Sequence, residues 1–266
     1  MSEHRARKRF GQNFLNDAGI IHKIARAIRP RANDHIVEIG PGQGALTEAI
    51  LEPGLRLDAI ELDLDLIPIL KQKFLGQDNF FLHQADALQF DFSSLQLENE
   101  PLRIVGNLPY NISTPLIFHL LSHQQLIKDM HFMLQLEVVE RMAAQPSGKN
   151  YGRLGVMCQY YCAVEMLFEV PPEAFNPRPK VQSAIVRLCP HKVLPHPAKD
   201  IKQLDKVLRT AFNMRRKTLR NSLKPLLSEQ QLEALDINPL ARPETLSLQA
   251  FVAISNFLAD NDSNAQ

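Results

Sequence analysis

The chain of 266 residues contains only three cysteines, little net charge and no long apolar run. The cysteines are widely placed and lack metal-ligand spacing, so neither a disulfide framework nor a metal site is expected. No stretch approaches the roughly 20 apolar residues that a membrane helix needs. The basic N-terminus is not followed by the apolar segment of a secretory signal. These absences predict a protein of the reducing cytoplasm with no membrane partner.

The net charge of +1 conceals an uneven distribution of charged side chains. Residues 1–31 carry a net charge of +6 and residues 199–224 one of +7, whereas residues 32–198 carry −7. Two basic clusters outside an acidic middle indicate a polyanionic partner that contacts both ends of the chain. The alternative is that these basic residues lie on ordinary solvated faces of helices.

Strand-like apolar segments alternate with helical patterns between residues 35 and 135. The predicted strands are 35–39, 55–60, 79–82, 102–106 and 129–135, and the predicted helices between them are 45–51, 64–74 and 115–121. This alternation predicts an α/β fold with a mostly parallel sheet and helices on both faces. Two further helices, 136–145 and 152–162, and two strands that could pair antiparallel, 164–170 and 183–188, follow.

A proline-rich segment without periodicity, 190–197, is typical of a linker. The pattern after it is helical throughout and includes a basic helix at 215–224. The sequence therefore predicts a first domain over residues 1–190, with a basic N-terminal arm, and a small all-α domain over residues 191–266.

A glycine-rich turn, Gly40-Pro41-Gly42-Gln43-Gly44, joins the first of these strands to its helix. Glycines let the backbone approach a ligand closely. The spacing is not the G-x-G-x-x-G pattern that binds a pyrophosphate, and an acid, Glu38, precedes the turn. This combination suits a nucleoside ligand without phosphates, such as S-adenosylmethionine.

Acidic residues also end the next two predicted strands. Glu61 lies seventeen residues after Gly44, where a carboxylate can accept both hydroxyls of a ribose. Asp86 follows the third strand and could accept a hydrogen bond from an adenine amino group. A single acid is more often a solvated loop residue, but acids at successive strand ends share one edge of a sheet and favour a site there.

Asn107-Leu108-Pro109-Tyr110 follows the fourth predicted strand. The Asn107 amide and the Leu108 carbonyl can accept hydrogen bonds from an exocyclic amino group, and the Tyr110 ring can stack on a base. Ser113 or Thr114 is expected to cap the helix that comes next. Taken alone, the motif could equally be an ordinary turn between a strand and a helix. Phe175 is a candidate second stacking surface, with a core phenylalanine as the equal alternative.

These motifs resemble those of the ribosomal RNA adenine N6,N6-dimethyltransferases, in stretches that span nearly the whole chain. The matching stretches are 11–15, 38–47, 61–63, 85–88, 106–115, 151–154, 175–183 and 215–223. Related enzymes acting on large-subunit rRNA share the first set of these stretches, whereas the basic stretch 215–223 resembles the small-subunit branch. Two positions depart from the family pattern: Leu136 replaces a frequent lysine, and Ser147-Gly148 reverses the usual order.

The resemblance implies a Rossmann-like sheet of the S-adenosylmethionine-dependent methyltransferases with a small all-α C-terminal domain, and S-adenosyl-L-methionine as cofactor. The predicted cofactor contacts are Asn13, Leu15, Gly40, Gly42, Glu61, Asp86, Ala87 and Asn107. The predicted catalytic residues are Asn107, Leu108, Pro109, Tyr110 and Phe175. The predicted RNA-binding residues are Arg7, Lys8, Arg9, Arg215, Arg216, Lys217 and Arg220.

The activity implied is dimethylation of two adjacent adenosines near the 3′ end of small-subunit rRNA, by a monomer acting on the pre-assembled small ribosomal subunit. Three alternatives remain at this point: a non-catalytic RNA-binding assembly factor, a methyltransferase for large-subunit rRNA, and a methyltransferase for DNA or a small molecule. The intact Asn107 motif argues against the first, and the basic residues of 215–224 argue against a small-molecule enzyme.

Overall fold

The computed structural model describes residues 12–97, 100–214 and 216–264, with side chains to residue 261. They fall into two units. The first runs to Val139 and includes Val164–Pro190, and the second is made of Glu140–Ala163 and the residues from His191 onward. The predicted domains, 1–190 and 191–266, are continuous segments, whereas these units interleave along the chain because Glu140–Ala163 groups with the C-terminal helices.

A mixed sheet of seven described strands forms most of the first unit, in the order β4-β3-β2-β5-β6-β9-β7. The strands are β2 His35–Ile39, β3 Arg56–Glu61, β4 Phe80–Gln84, β5 Leu102–Asn107, β6 Ile127–Gln135, β7 Cys162–Val170 and β9 Ser183–Pro190. The pairs from β4 to β6 are parallel, and β9 runs antiparallel to β6. The predicted α/β sheet is confirmed.

Helices connect several of the successive parallel strands. Those along the first part of the chain are α1 Ala18–Ile28, α2 Ala45–Ile50, α3 Leu66–Lys73, α4 Ser113–Ser122 and α5 Leu136–Ala143. Asp17 caps α1, because its carboxylate accepts from the Ile20 N–H at 2.9 Å. The apolar face of α1 buries Ile24 and Ile28 in the core beside β2, all of whose residues are buried.

Two local features of the first unit differ from what the sequence pattern indicates. A short strand, β1, Phe14–Leu15, pairs antiparallel with β8, Phe175–Asn176. This two-residue pairing joins segments 160 residues apart, so no local sequence pattern predicts it. The N-cap of α4 is Ile112, without a side-chain cap, and Ser113 instead donates to the Tyr110 carbonyl at 3.2 Å.

The second unit is helical, as predicted. Its helices are α6 Arg153–Tyr161, α7 Ile201–Phe212, α8 Leu219–Ser222, α9 Glu229–Glu233 and α10 Leu248–Asn264. The apolar face of α7 packs against α10, with the Phe212 and Phe251 rings 5.5 Å apart. A capping box formed by Ser228 and Gln231 starts α9.

The predicted basic helix at 215–224 is corrected by the structure. Residues 216–218 form a turn, and only Leu219–Ser222 is helical. The Leu219 N–H donates to the Ala241 carbonyl at 2.8 Å and the Arg220 N–H to the Pro239 carbonyl at 3.0 Å. These tertiary hydrogen bonds hold the segment in place of a longer helix.

All three cysteines are free thiols. Cys158 is fully buried on α6, and burial raises the pKa of its thiol well above the ordinary range. A thiol in that state packs as a small apolar group. Within the described ranges, every helix is too short or too polar to span a bilayer.

Candidate active site

A cavity of about 360 Å³ lies at the carboxyl ends of the parallel strands in the first unit. Ligands bind at this edge in open α/β sheets because the loops after successive strands meet there. The predicted residues that line it are Asn13, Leu15, Gly40, Gly42, Glu61, Asp86, Ala87, Asn107, Leu108, Pro109 and Tyr110. The structure therefore brings together residues that lie up to 97 positions apart in the sequence.

The glycine-rich turn forms one wall of this cavity in a conformation that favours glycine. Gly40 and Gly42 have φ angles of 68° and 59°, in the left-handed region. A Cβ atom on Gly42 would lie 3.1 Å from the Phe14 ring. Gly106 is equally constrained, since a Cβ there would lie 2.5 Å from the Ile39 carbonyl oxygen. Glycine at Gly106 therefore lets the backbones of β2 and β5 approach each other closely beside the cavity.

Glu61 ends β3 and is buried at the cavity wall, with 6% of its surface exposed. Its carboxylate accepts from the Asp63 N–H at 2.8 Å and from the Gly42 N–H at 3.3 Å. Burial raises the pKa of Glu61 above its ordinary value, and these backbone donors partly oppose that shift. The two N–H groups fix the carboxylate where ligand hydroxyls could donate to its remaining lone pairs.

Glu38, near the end of β2, is 2% exposed and thus more deeply buried than Glu61. The Thr47 hydroxyl donates to it at 2.6 Å. Burial raises the pKa of Glu38 to about 7, with the nearby Glu61 charge adding to the effect. The folded protein therefore holds the Glu38 proton at pH values where the unfolded chain has released it.

Replacing Glu38 with glutamine is expected to stabilise the ligand-free protein at pH 8. Between pH 4.5 and about 7 the folded state binds more protons than the unfolded state, so wild-type stability falls as the pH rises. The full effect, present above pH 7, is on the order of 3 kcal/mol. Glutamine carries no charge and can still accept from Thr47. Urea unfolding at a series of pH values measures the difference.

Glu48→Gln is the matched control, because Glu48 is an exposed neighbour on α2 that pairs with Lys73 at 2.9 Å. Its stability should follow the wild-type pH dependence. If Glu38→Gln also followed that dependence, Glu38 would be ionised in the folded protein and the raised pKa would be refuted.

Asp86 and Ala87 lie after β4. The Asp86 carboxylate accepts from the Leu88 N–H at 2.9 Å and from the Gln89 side chain at 3.2 Å. Asp86 is half-buried and Ala87 is 7% exposed. The carboxylate is thus held in a tight turn at the cavity edge.

Asn107 ends β5, and its side-chain amide donates to the Asn13 carbonyl at 3.0 Å. This hydrogen bond fixes which end of the amide is the donor, so Oδ1 is the acceptor that the side chain presents. The following Leu108 N–H donates to the Met133 carbonyl on β6 at 3.2 Å. The strand and its neighbour therefore hold the backbone of the motif in one orientation.

Tyr110 is half-buried, and its hydroxyl forms a 2.9 Å hydrogen bond with the hydroxyl of Ser183 at the start of β9. Burial raises the pKa of the Tyr110 phenol. Ser183 is fully buried and fixes the far end of the ring. The sequence did not identify Ser183 as a site residue, because only the antiparallel pairing of β9 with β6 brings it near residue 110.

The structure corrects the assignment of Phe175. Its side chain is 4% exposed and packs in the core with Leu15 and Ile24, and it is not one of the described residues that line the cavity. Pairing of β8 with β1 turns this ring into the core. The alternative, a core phenylalanine, therefore holds in this conformation.

Four of the predicted RNA-binding residues lie outside the described residues, namely Arg7, Lys8, Arg9 and Arg215. The others, Arg216, Lys217 and Arg220, are exposed in the second unit. Arg220 lies 3.9 Å from Glu229, a weak surface pair.

The sheet order and this cavity place the chain in the Rossmann-like class of S-adenosylmethionine-dependent methyltransferases. A family model described as ribosomal RNA adenine dimethylase matches residues 3–260. The chain belongs to the ribosomal RNA adenine dimethylase family.

Individual relatives agree with this family. The chain is 64% identical over 262 residues to "Ribosomal RNA small subunit methyltransferase A" of Pseudomonas aeruginosa, covering 98% of each protein. It is 62% identical over 257 residues to the protein of that name from Marinobacter nauticus, covering 97% of this chain and 93% of the relative.

Solved structures agree in fold. A dimethyladenosine transferase from Plasmodium falciparum matches with a TM-score of 0.81 and 29% identity, over 94% of this chain and 98% of that one. The 23S rRNA methyltransferase ErmE matches with a TM-score of 0.71 and 24% identity, over 93% of this chain and 100% of that one, and supports the fold alone.

Proposed function

We propose that this protein transfers methyl groups from S-adenosylmethionine to N6 of two adjacent adenosines near the 3′ end of small-subunit rRNA. The product is a pair of N6,N6-dimethyladenosines, made on the pre-assembled small ribosomal subunit. The observation that carries the proposal is the Asn107 amide, held by the Asn13 carbonyl at a cavity that Glu61 and Asp86 also line. High identity to the small-subunit enzymes named above favours that subunit as the substrate.

The residues of the cavity fit the cofactor. Glu61 offers a buried carboxylate for two ribose hydroxyls, and Asp86 offers an acceptor for the adenine amino group. The glycine-rich turn, from Gly40 to Gly44, leaves room for the nucleoside, and its spacing is not the pattern that binds a pyrophosphate. Asn13, Leu15 and Ala87 would complete the wall. When bound, the cofactor supplies an electrophilic methyl group on its sulfonium sulfur.

The adenine amino nitrogen is a weak nucleophile because its lone pair is delocalised into the ring. If the Asn107 Oδ1 and the Leu108 carbonyl accept hydrogen bonds from its two N–H groups, the nitrogen can move toward tetrahedral geometry. Its lone pair then becomes available for attack. Pro109 stiffens this turn, and Tyr110, fixed by Ser183, would stack on the base. Much of the rate enhancement then comes from positioning.

The proton leaves after the N–C bond has formed, when the nitrogen is cationic and strongly acidic. No dedicated base is needed in this scheme. The first methylation removes one N–H donor, so one of the two acceptors is idle in the second. The site must therefore hold a methylamino group by Tyr110 stacking and one hydrogen bond.

We assign RNA contacts to Arg7, Lys8 and Arg9 of the basic N-terminal arm and to the basic residues Arg215, Arg216, Lys217 and Arg220 of the C-terminal segment. A target base inside folded RNA must be splayed out of its stack, and single-stranded loops make this least costly. We propose that the protein acts as a monomer in the cytoplasm, where bacterial relatives would meet assembling ribosomes.

Labelled S-adenosylmethionine, offered with unmethylated small ribosomal subunits, tests the proposal. We expect label in two adjacent adenosines of the small-subunit rRNA and little in large-subunit rRNA or DNA. Label confined to large-subunit rRNA or to DNA would reject the assigned substrate. RNA binding without transfer to any of these would support the non-catalytic assembly factor instead.

A further inference from the structure

His131 lies on β6 and lines the same cavity as the predicted cofactor residues. Its side chain is 4% exposed, and neither ring nitrogen has a hydrogen-bond partner among the described residues. Unsatisfied polar atoms in a protein interior are costly, and most buried polar side chains are hydrogen-bonded. The reaction proposed above does not use this histidine. A buried imidazole without a partner at a cavity wall indicates a contact with a ligand.

The register of the sheet fixes the position of His131 in the cavity. Val105, on β5, is in register with Glu38 on one side and with His131 on the other. Residues in register on neighbouring strands point to the same face of a sheet, and Glu38 and His131 both line the cavity. Asn107 pairs with Met133, two residues beyond His131. The imidazole therefore lies further from the carboxyl edge of the sheet than the Asn107 amide.

Asp129 orients the imidazole. The His131 Nδ1 lies 3.6 Å from an Asp129 carboxylate oxygen, which is too long for a hydrogen bond but favours a proton on Nδ1. Arg103 donates to both oxygens of this carboxylate, at 3.1 and 3.2 Å. Burial favours the neutral acid, but these contacts hold the pKa of Asp129 below its ordinary value. With its proton on Nδ1, the ring has a lone pair on Nε2, so Nε2 accepts from a donor.

The order of the strands indicates which donor reaches this position. Asp86 follows β4 and Glu61 ends β3, and the proposed cofactor places its adenine and its ribose there. The sheet continues from β3 through β2 and β5 to β6, which carries His131. The end of the cofactor remote from the adenine therefore extends toward β5 and β6. That end is an α-amino acid, whose ammonium group donates hydrogen bonds.

The charged residues of the cavity favour a cation. Glu38, Glu61 and Asp86 line it, and within the described ranges no lysine or arginine does. Glu38 accepts from the Thr47 hydroxyl at 2.6 Å, which leaves further lone pairs on its carboxyl group. An ammonium group beside His131 would be attracted by Glu38, whereas a carboxylate there would be repelled by its ionised form.

We propose that His131 accepts a hydrogen bond at Nε2 from the α-ammonium group of the cofactor, and so helps to position its sulfonium methyl group. The inference rests on the proposed function, because it takes S-adenosylmethionine to be the cofactor. The amino group of the target adenine is also an N–H donor. Binding measured without RNA separates these two sources.

The test uses the full-length protein and compares ligands with and without the ammonium group. The ligands are S-adenosylhomocysteine, its analogue without the amino group, and 5′-methylthioadenosine, which lacks the whole amino acid. His131→Phe keeps a ring but removes both nitrogens, and His131→Gln keeps an oxygen acceptor. His22→Gln is the matched control, since His22 is an exposed histidine of α1 that does not line the cavity.

We expect His131→Phe to bind S-adenosylhomocysteine at least about 10-fold more weakly, because a hydrogen bond from a charged group is lost. Its affinity for the two ligands without the ammonium group should equal that of the wild type. His131→Gln should recover part of the affinity, and His22→Gln should match the wild type.

Wild-type affinity for S-adenosylhomocysteine in His131→Phe would overturn the proposal. A loss of the same size for either ligand without the ammonium group would also overturn it, because a purely structural role weakens all three ligands. Urea unfolding of the ligand-free protein checks that the variant folds. If the larger ring of His131→Phe prevents folding, His131→Leu, which also lacks an acceptor, takes its place in the same comparison.

Methyl transfer by the wild type to unmethylated small ribosomal subunits separates this inference from the proposed function. An active wild type with unchanged binding of S-adenosylhomocysteine in His131→Phe rejects only the role of His131. A wild type that neither binds S-adenosylhomocysteine nor transfers a methyl group rejects the function itself.

Discussion

Replacing Asn107 with alanine is expected to reduce methyl transfer by at least about 100-fold, because one preorganised acceptor of the target amino group is lost. The same change removes the hydrogen bond to the Asn13 carbonyl at 3.0 Å. Cofactor affinity should therefore fall as well, but remain measurable. Single-turnover transfer from labelled cofactor and equilibrium binding of S-adenosylhomocysteine separate the two effects.

Asn16→Ala is the control for this variant, since Asn16 is an exposed asparagine near the same segment that does not line the cavity. Its turnover should equal that of the wild type. Near-normal turnover in Asn107→Ala would show that the target nitrogen is not held by this amide, and the mechanism proposed above would fail.

Glu61→Gln is expected to weaken cofactor binding by at least about 100-fold, since each hydrogen bond from a hydroxyl to a carboxylate contributes roughly 1.5–3 kcal/mol. Glutamine has the same size but places an NH2 group where the carboxylate accepts. The Gly42 and Asp63 N–H groups donate to the two carboxylate oxygens of Glu61 at 3.3 and 2.8 Å. The NH2 group of glutamine would therefore face one of these donors and could not accept from it. Calorimetric titration with S-adenosylmethionine measures the loss.

The pH dependence of this binding gives a second readout. Burial raises the pKa of Glu61, and ligand hydroxyls favour its ionised form. Wild-type affinity should therefore be highest above that pKa and decline as the pH falls through it, whereas the Glu61→Gln profile should be flat in that range. Glu52→Gln, at an exposed acid outside the cavity, should behave as the wild type. Unchanged affinity in Glu61→Gln would remove Glu61 from the cofactor site.

The sequence alone predicts where the residues of these two variants lie in the sheet. Glu61 and Asn107 end two parallel strands, and the residue after a buried apolar run in an α/β pattern can lie only at the ligand edge of the sheet. Asp86 follows a third strand by the same logic. The structure adds which atoms hold these side chains, such as the Gly42 and Asp63 N–H groups on Glu61.

Residues joined by pairings between distant segments were not predictable in this way. Ser183 reaches Tyr110 because β9 runs antiparallel to β6. Phe175 is turned into the core by its two-residue pairing with β1. Residues 216–218 form a turn before α8, and the first N–H groups of α8 donate to the carbonyls of Ala241 and Pro239, which lie about twenty residues further along the chain.

The sequence by itself determined the parallel sheet, the cofactor edge and the resemblance to an RNA adenine dimethyltransferase, because these depend on local periodicity and on motifs within single loops. Only the tertiary structure decided the grouping of Glu140–Ala163 with the C-terminal helices. The Tyr151 and Phe212 rings, for example, lie 6.1 Å apart although about sixty residues of sequence separate them, and such contacts depend on long-range packing that no local pattern specifies.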